Sequence, residues 1–157
     1  MRIAVTGHRP SKLGGDYTGD GTMAQKVRKW LRRQLESRHP DEVVTGMALG
    51  VDQWFAEEAL RLDIKVHAAI PCDGQERTWP TSSQVRYKLL LKQASVTPHV
   101  VSPGPYATWK MQARNEYMVD YSDLLLAVWD GSHGGTWNCV RYAEKCGKPV
   151  VRLDPFE

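Results

Sequence analysis

Apolar positions along the chain fall into two alternating patterns. Six short runs, Ile3–Thr6, Glu42–Thr45, Lys65–Ile70, His99–Ser102, Leu124–Trp129 and Pro149–Leu153, have the length and composition of strands. Between them apolar residues recur at helical spacing. The five sets are Met23, Val27, Trp30, Leu31 and Leu35; Val51, Trp54, Phe55, Ala59 and Leu62; Val85, Leu89, Leu90 and Ala94; Met111, Met118 and Tyr121; and Trp137, Val140 and Ala143. Strands alternating with helices predict one α/β domain over residues 1–157, with a doubly wound, mostly parallel sheet and helices on both faces. Leu124–Trp129 is apolar without alternation, which places it at the centre of the sheet, buried on both sides.

Composition narrows the function classes. Of 157 residues, 41% are apolar and 25% charged, which excludes a disordered or collagen-like chain. No apolar run approaches the roughly 20 residues of a membrane span, so no membrane partner is expected. Met1–Gly7 enters a strand directly, without the anatomy of a signal peptide. The three cysteines, Cys72, Cys139 and Cys146, read as reduced thiols, and the expected location is cytoplasmic. The net charge of +3 suits an anionic ligand but is small for a nucleic-acid protein, so nucleic acid is not the expected partner. Lys26, Arg28, Lys29, Arg32 and Arg33 on the first helix read as a solvated basic face.

The glycines carry more information. Of 13, all but Gly147 fall between the end of a strand and the start of the next helix. In a parallel sheet those loops share the carboxyl edge, where open α/β sheets bind ligands. Asp130-Gly131-Ser132-His133-Gly134-Gly135-Thr136 follows the central strand and precedes a helix. Converging N–H groups and the positive end of the helix make it an anion site, with Thr136 as cap or hydroxyl donor. It is neither a Walker A loop nor the G-x-G-x-x-G fingerprint.

Thr6-Gly7-His8-Arg9-Pro10 follows the first strand. There Gly7 brings backbone to the edge, Arg9 supplies a phosphate fork, and His8 reaches a phosphate or a base. The stretch Ser11–Thr22 behind it reads as a mobile flap. After the second strand, Gly46 and Gly50 again bring backbone to the edge, and Asp52 suits a ribose hydroxyl or the helix dipole. Arg114 is a second phosphate fork and Asn115 a base or ribose contact. Gln75, Glu76 and Trp79, after the third strand, are placed to recognise or stack on a base. No His/Cys cluster has ligand spacing and no G-x-S-x-G elbow occurs, so no metal and no cofactor is expected.

The ordered set Thr6–Pro10, Gly46–Asp52, Ala69–Pro71, Arg114-Asn115, Met118–Asp120, Ser122-Asp123 and Asp130–Thr136 spans nearly the whole chain. It resembles the SLOG superfamily, and within it the small YpsA-like branch, related to the DNA-processing protein DprA and to the LOG phosphoribohydrolases. The resemblance implies a Rossmann-like fold, a nucleotide or nucleotide-derived ligand at the glycine-rich edge, and a homodimer. LOG hydrolases carry P-G-G-x-G-T-x-x-E, whose Glu serves cleavage of an N-glycosidic bond. Three residues past Thr136 stands Cys139. The leading expectation is therefore a nucleotide sensor or ligand-sequestering module. The alternative is an N-glycosidase acting on nucleoside monophosphates with Asp52, Glu76 or Asp130 as substitute acid. A more distant one is single-stranded nucleic-acid binding.

Overall fold

A computed structural model describes residues 1–157. Six strands, β1 (Arg2–Gly7), β2 (Glu42–Thr45), β3 (Lys65–Ile70), β4 (Val96–Val100), β5 (Leu124–Val128) and β6 (Val150–Leu153), form one sheet. Five helices connect them: α1 (Thr22–Arg38), α2 (Val51–Arg61), α3 (Thr81–Leu91), α4 (Thr108–Tyr121) and α5 (Gly135–Lys145). The order is β4-β3-β2-β1-β5-β6 and every pairing is parallel. The chain winds outward from β1 to β4, then crosses back to lay β5 against the other side of β1. That reversal is the topological switch point, where crossover helices leave the two halves on opposite faces and a crevice opens between their loops.

Alternation along the strands sorts the core. Ile3, Val5, Val43, Val66 and Leu126 face α1 and α2 in the larger cluster. Ala4, Val44, Leu125 and Ala127 face α4 and α5 in the smaller one. All five residues of β5 are buried, as a central strand requires.

Three features depart from the sequence pattern. The fourth strand runs from Val96, not His99, because it pairs Val66 to Val96 and Ile70 to Val100 at the sheet's edge. Pro98 sits within it, and an edge strand tolerates a proline that an interior strand would not. On α3 the buried residues are Ser83 and Tyr87, while Val85 and Leu89 stand in solvent. Ala94 lies beyond the helix. On α1, Arg28 is not solvated: it is 3% exposed and bonded to Glu57 and Glu58.

The Ser11–Thr22 stretch is held down rather than free. Pro10–Lys12 form a 3-10 turn and Leu13 is fully buried. The Asp16 carboxylate accepts N–H bonds from Thr18, Gly19 and Gly21. Arg28 Nε donates to the Gly19 carbonyl at 3.2 Å.

Candidate functional site

A cleft of about 830 Å³ opens at the carboxyl edge, beside the ends of β1 and β5. Loops after five strands line it. β1 supplies Thr6, Gly7, His8 and Arg9, followed by Ser11 and Lys12; Ala48 and Asp52 follow β2; Cys72–Gln75 and Arg77–Trp79 follow β3; Pro105 and Tyr106 follow β4; Ser132–Thr136 follow β5. Helix α4 contributes Met111, Arg114, Asn115 and Met118.

Arg114 lies at the floor and is 6% exposed. Its Nη1 donates to the Gly46 carbonyl at 3.1 Å and lies 3.5 Å from that of Ala69, and its Nε is 3.4 Å from Asn115 Oδ1. Nη2 takes no protein acceptor and is not sealed in. No carboxylate lies within 4 Å of this guanidinium. The close approach requires a glycine: a Cβ on Gly46 would stand 2.0 Å from Nη1. Asn115 fixes the other side by donating toward the Gly135 carbonyl at 3.4 Å.

Asp52, 7% exposed, accepts the Ala48 N–H at 3.2 Å. Burial pushes its carboxyl above the ordinary value, with Arg114 opposing. Burial likewise pulls the Arg114 guanidinium down, with Asp52 opposing. Asp52 and Arg114 thus lie near each other at the floor, beyond salt-bridge distance, each partly offsetting the cost of the other's burial.

The start of α5 lines the same cleft. Its N-cap is Gly134, at φ 152°, with no side-chain cap. A β-carbon is rarely found there, and the glycine leaves the first N–H groups of the helix open to the cleft. Arg9, Lys12 and Arg77 add cations, none paired with a carboxylate. A helix N-terminus and four unpaired cations around one cleft favour an anion.

Of the residues singled out from sequence, Gly7, His8, Arg9, Asp52, Gln75, Arg114, Asn115, Gly134, Gly135 and Thr136 line the cleft. Gly46, Gly50, Glu76, Asp130 and Gly131 do not. Gly46 acts from behind, through its carbonyl. Gly50 caps α2 and packs under Pro10. Asp130 turns away to close its own loop. Its Oδ1 accepts the Ser132 hydroxyl at 2.6 Å and the Ser132 N–H at 2.9 Å, and His8 Nε2 lies 3.0 Å away. The Ser132 bonds, then His8, hold this carboxyl well below the usual range. His8 is correspondingly a clip between the β1 and β5 loops, with its N–H on the Val128 carbonyl. Of the three candidate acids, only Asp52 reaches the cleft. Cys139 is fully buried, and burial pushes its thiol up to about 12, so it is no nucleophile. Only four of the edge glycines, Gly7, Gly74, Gly134 and Gly135, line the cleft.

Lys12, Asp73, Arg77 and Tyr106 were not singled out. Asp73 adjoins Gly74-Gln75, a neighbourhood already marked. Lys12 and Tyr106 are brought in by loop conformation, which carries no periodic signal.

Arg114→Lys keeps the charge but loses the planar fork. Its expected effect is a roughly tenfold weaker affinity for inorganic pyrophosphate, read by calorimetry. The Gly46 carbonyl keeps Gln75 as a donor, so the fold persists.

These features define a Rossmann-like α/β protein with a cationic cleft at its switch point. The chain belongs to the YspA SLOG family: the YpsA family model matches residues 3–147. A relative, the uncharacterized SPbeta prophage-derived protein YoqJ of Bacillus subtilis (strain 168), is 36% identical over 129 residues, covering 71% of this chain and 75% of that protein. DNA processing protein A of Helicobacter pylori has the same fold, with a TM-score of 0.65 and 24% identity over 98% of the chain. The chain spans 65% of that protein and 50% of its Streptococcus pneumoniae counterpart. The molybdenum cofactor carrier protein of Chlamydomonas reinhardtii shares the fold at a TM-score of 0.60 and 21% identity, over 97% of this chain and 75% of that one.

Proposed function

We propose that the cleft binds a nucleotide or nucleotide-derived ligand, phosphate end inward, and that the protein serves as a sensor or sequestering module for it. The supporting observation is Arg114: a buried guanidinium with no carboxylate within 4 Å, lining the same cleft as the uncapped start of α5. A lone phosphate would leave most of the cleft empty, whereas its volume lies within the range of sites for cofactor-sized molecules. Among proteins of the same fold, one is a molybdenum cofactor carrier and one is a DNA-processing protein with a single-stranded DNA binding mode.

The test is calorimetry with nucleoside mono- and diphosphates, ADP-ribose and a single-stranded oligonucleotide. Saturable one-site binding of a mononucleotide supports the reading. Binding of the oligonucleotide alone, with an affinity falling steeply in salt, replaces it with strand binding.

A second reading, release of a base from a nucleoside monophosphate, rests on Asp52 being an acid in the cleft beside Arg114. Chromatography of the same incubations decides it: free base that disappears with Asp52→Asn establishes cleavage, and intact nucleotide leaves binding alone.

A further inference from the structure

One wall of the cleft, next to Arg114, is built from a single segment, the loop after β3. Asp73 Oδ2 accepts the Gly104 N–H at 2.7 Å, and the Asp73 N–H returns a bond to the Gly104 carbonyl at 3.0 Å. The carboxylate is therefore held in place with Oδ1 free of protein donors. Gln75 Nε2 donates to the Gly46 carbonyl at 3.1 Å and to Tyr87 Oη at 3.2 Å. A carbonyl partner fixes which end of the amide is nitrogen, so Oε1 is an acceptor without a protein donor. Arg77 follows two residues on, without a carboxylate partner. The Trp79 ring is braced edge-on against Tyr87, with centroids 5.1 Å apart and planes at 79°. The Gly46 carbonyl that anchors Gln75 also anchors Arg114, so this wall is tied to the phosphate floor.

We propose that Asp73, Gln75, Arg77 and Trp79 form a base pocket that selects guanine over adenine; this rests on the nucleotide reading above. Guanine presents two adjacent donors, N1–H and the 2-amino group, and two acceptors, O6 and N7. A carboxylate and an amide oxygen answer the donors, a guanidinium answers O6 and N7, and the indole gives a stacking face. Adenine carries a lone pair at N1, which the Asp73 carboxylate repels. Hypoxanthine keeps N1–H but lacks the 2-amino group.

The experiment is calorimetry of the full chain with GMP, IMP, AMP and inorganic pyrophosphate. GMP is expected to bind about tenfold tighter than IMP, and AMP weaker still. In Asp73→Asn the advantage of GMP over IMP is expected to shrink to about threefold or less, with pyrophosphate affinity unchanged. Equal affinities for the three nucleotides, or a preference for AMP, overturn the base assignment while leaving the nucleotide reading in place. A GMP preference that survives Asp73→Asn overturns the role of Asp73. Pyrophosphate binding without any nucleotide binding overturns both readings.

Discussion

Gly135→Asp is expected to abolish anion binding while the fold stays intact. Gly135 opens α5 and lines the cleft, and a β-carbon there meets no atom within 4 Å. The new side chain therefore costs no packing. A carboxylate in the first turn even favours the helix dipole, so the melting temperature should hold or rise slightly. The same carboxylate occupies the space of the phosphate and neutralises the field that attracts it. Like charges juxtaposed in a binding site cost several kcal/mol, so affinity for pyrophosphate or a mononucleotide should fall on the order of 100-fold or more. Calorimetry beside a thermal melt separates the two effects. Unchanged affinity in a folded variant would remove the start of α5 from the site.

The second large effect concerns stability. Glu58 on α2 is fully buried and its carboxylate takes three arginines: Arg28 at 3.0 Å, Arg32 at 2.8 Å and Arg61 at 2.9 Å. Arg28 also reaches Glu57 at 2.8 Å, and Arg86 on α3 reaches Glu57 at 3.2 Å, so the network joins three helices. Removing one partner of a buried ion pair typically costs roughly 3–5 kcal/mol, because the other charge is left without compensation. Glu58→Ala should fall in that range, lowering the melting temperature by roughly 10 °C for a chain of this size. Chemical denaturation measures it. A loss below about 1 kcal/mol would mean that Arg28 turns wholly to Glu57.

The periodicity of apolar residues sufficed for the architecture, because strand-length runs alternate with helical spacing and each strand is followed within three residues by a glycine or proline. It failed on α3. The set Val85, Leu89 and Leu90 mixes two faces: Val85 and Leu89 stand in solvent, whereas Ser83, Tyr87, Leu90 and Leu91 turn inward. Tyr87 also supports Trp79 and Gln75 on the wall of the cleft. The pattern also missed the Glu58 network, since no local signal tells a carboxylate on a helix from one that collects arginines from a neighbouring helix and its own next turn. Four of the edge glycines and both arginines marked from sequence line the cleft. Side-chain direction was not legible. His8 and Asp130 satisfy each other across a gap of 122 residues, which turns two candidate ligand contacts into a clip.

The position of β5 carries a consequence for how the chain is made. It is the fifth strand in sequence yet sits beside the first. While synthesis has reached only β4, one edge of β1 is bare, and the second face of the sheet lacks both α4 and α5. An unpaired interior edge of Ile3, Ala4 and Val5 invites pairing with another copy. The anion pole is also absent at that stage, since Gly134 and Gly135 leave the ribosome after β5. An anion held at the start of α5 would stabilise only a chain whose β5 has already joined β1.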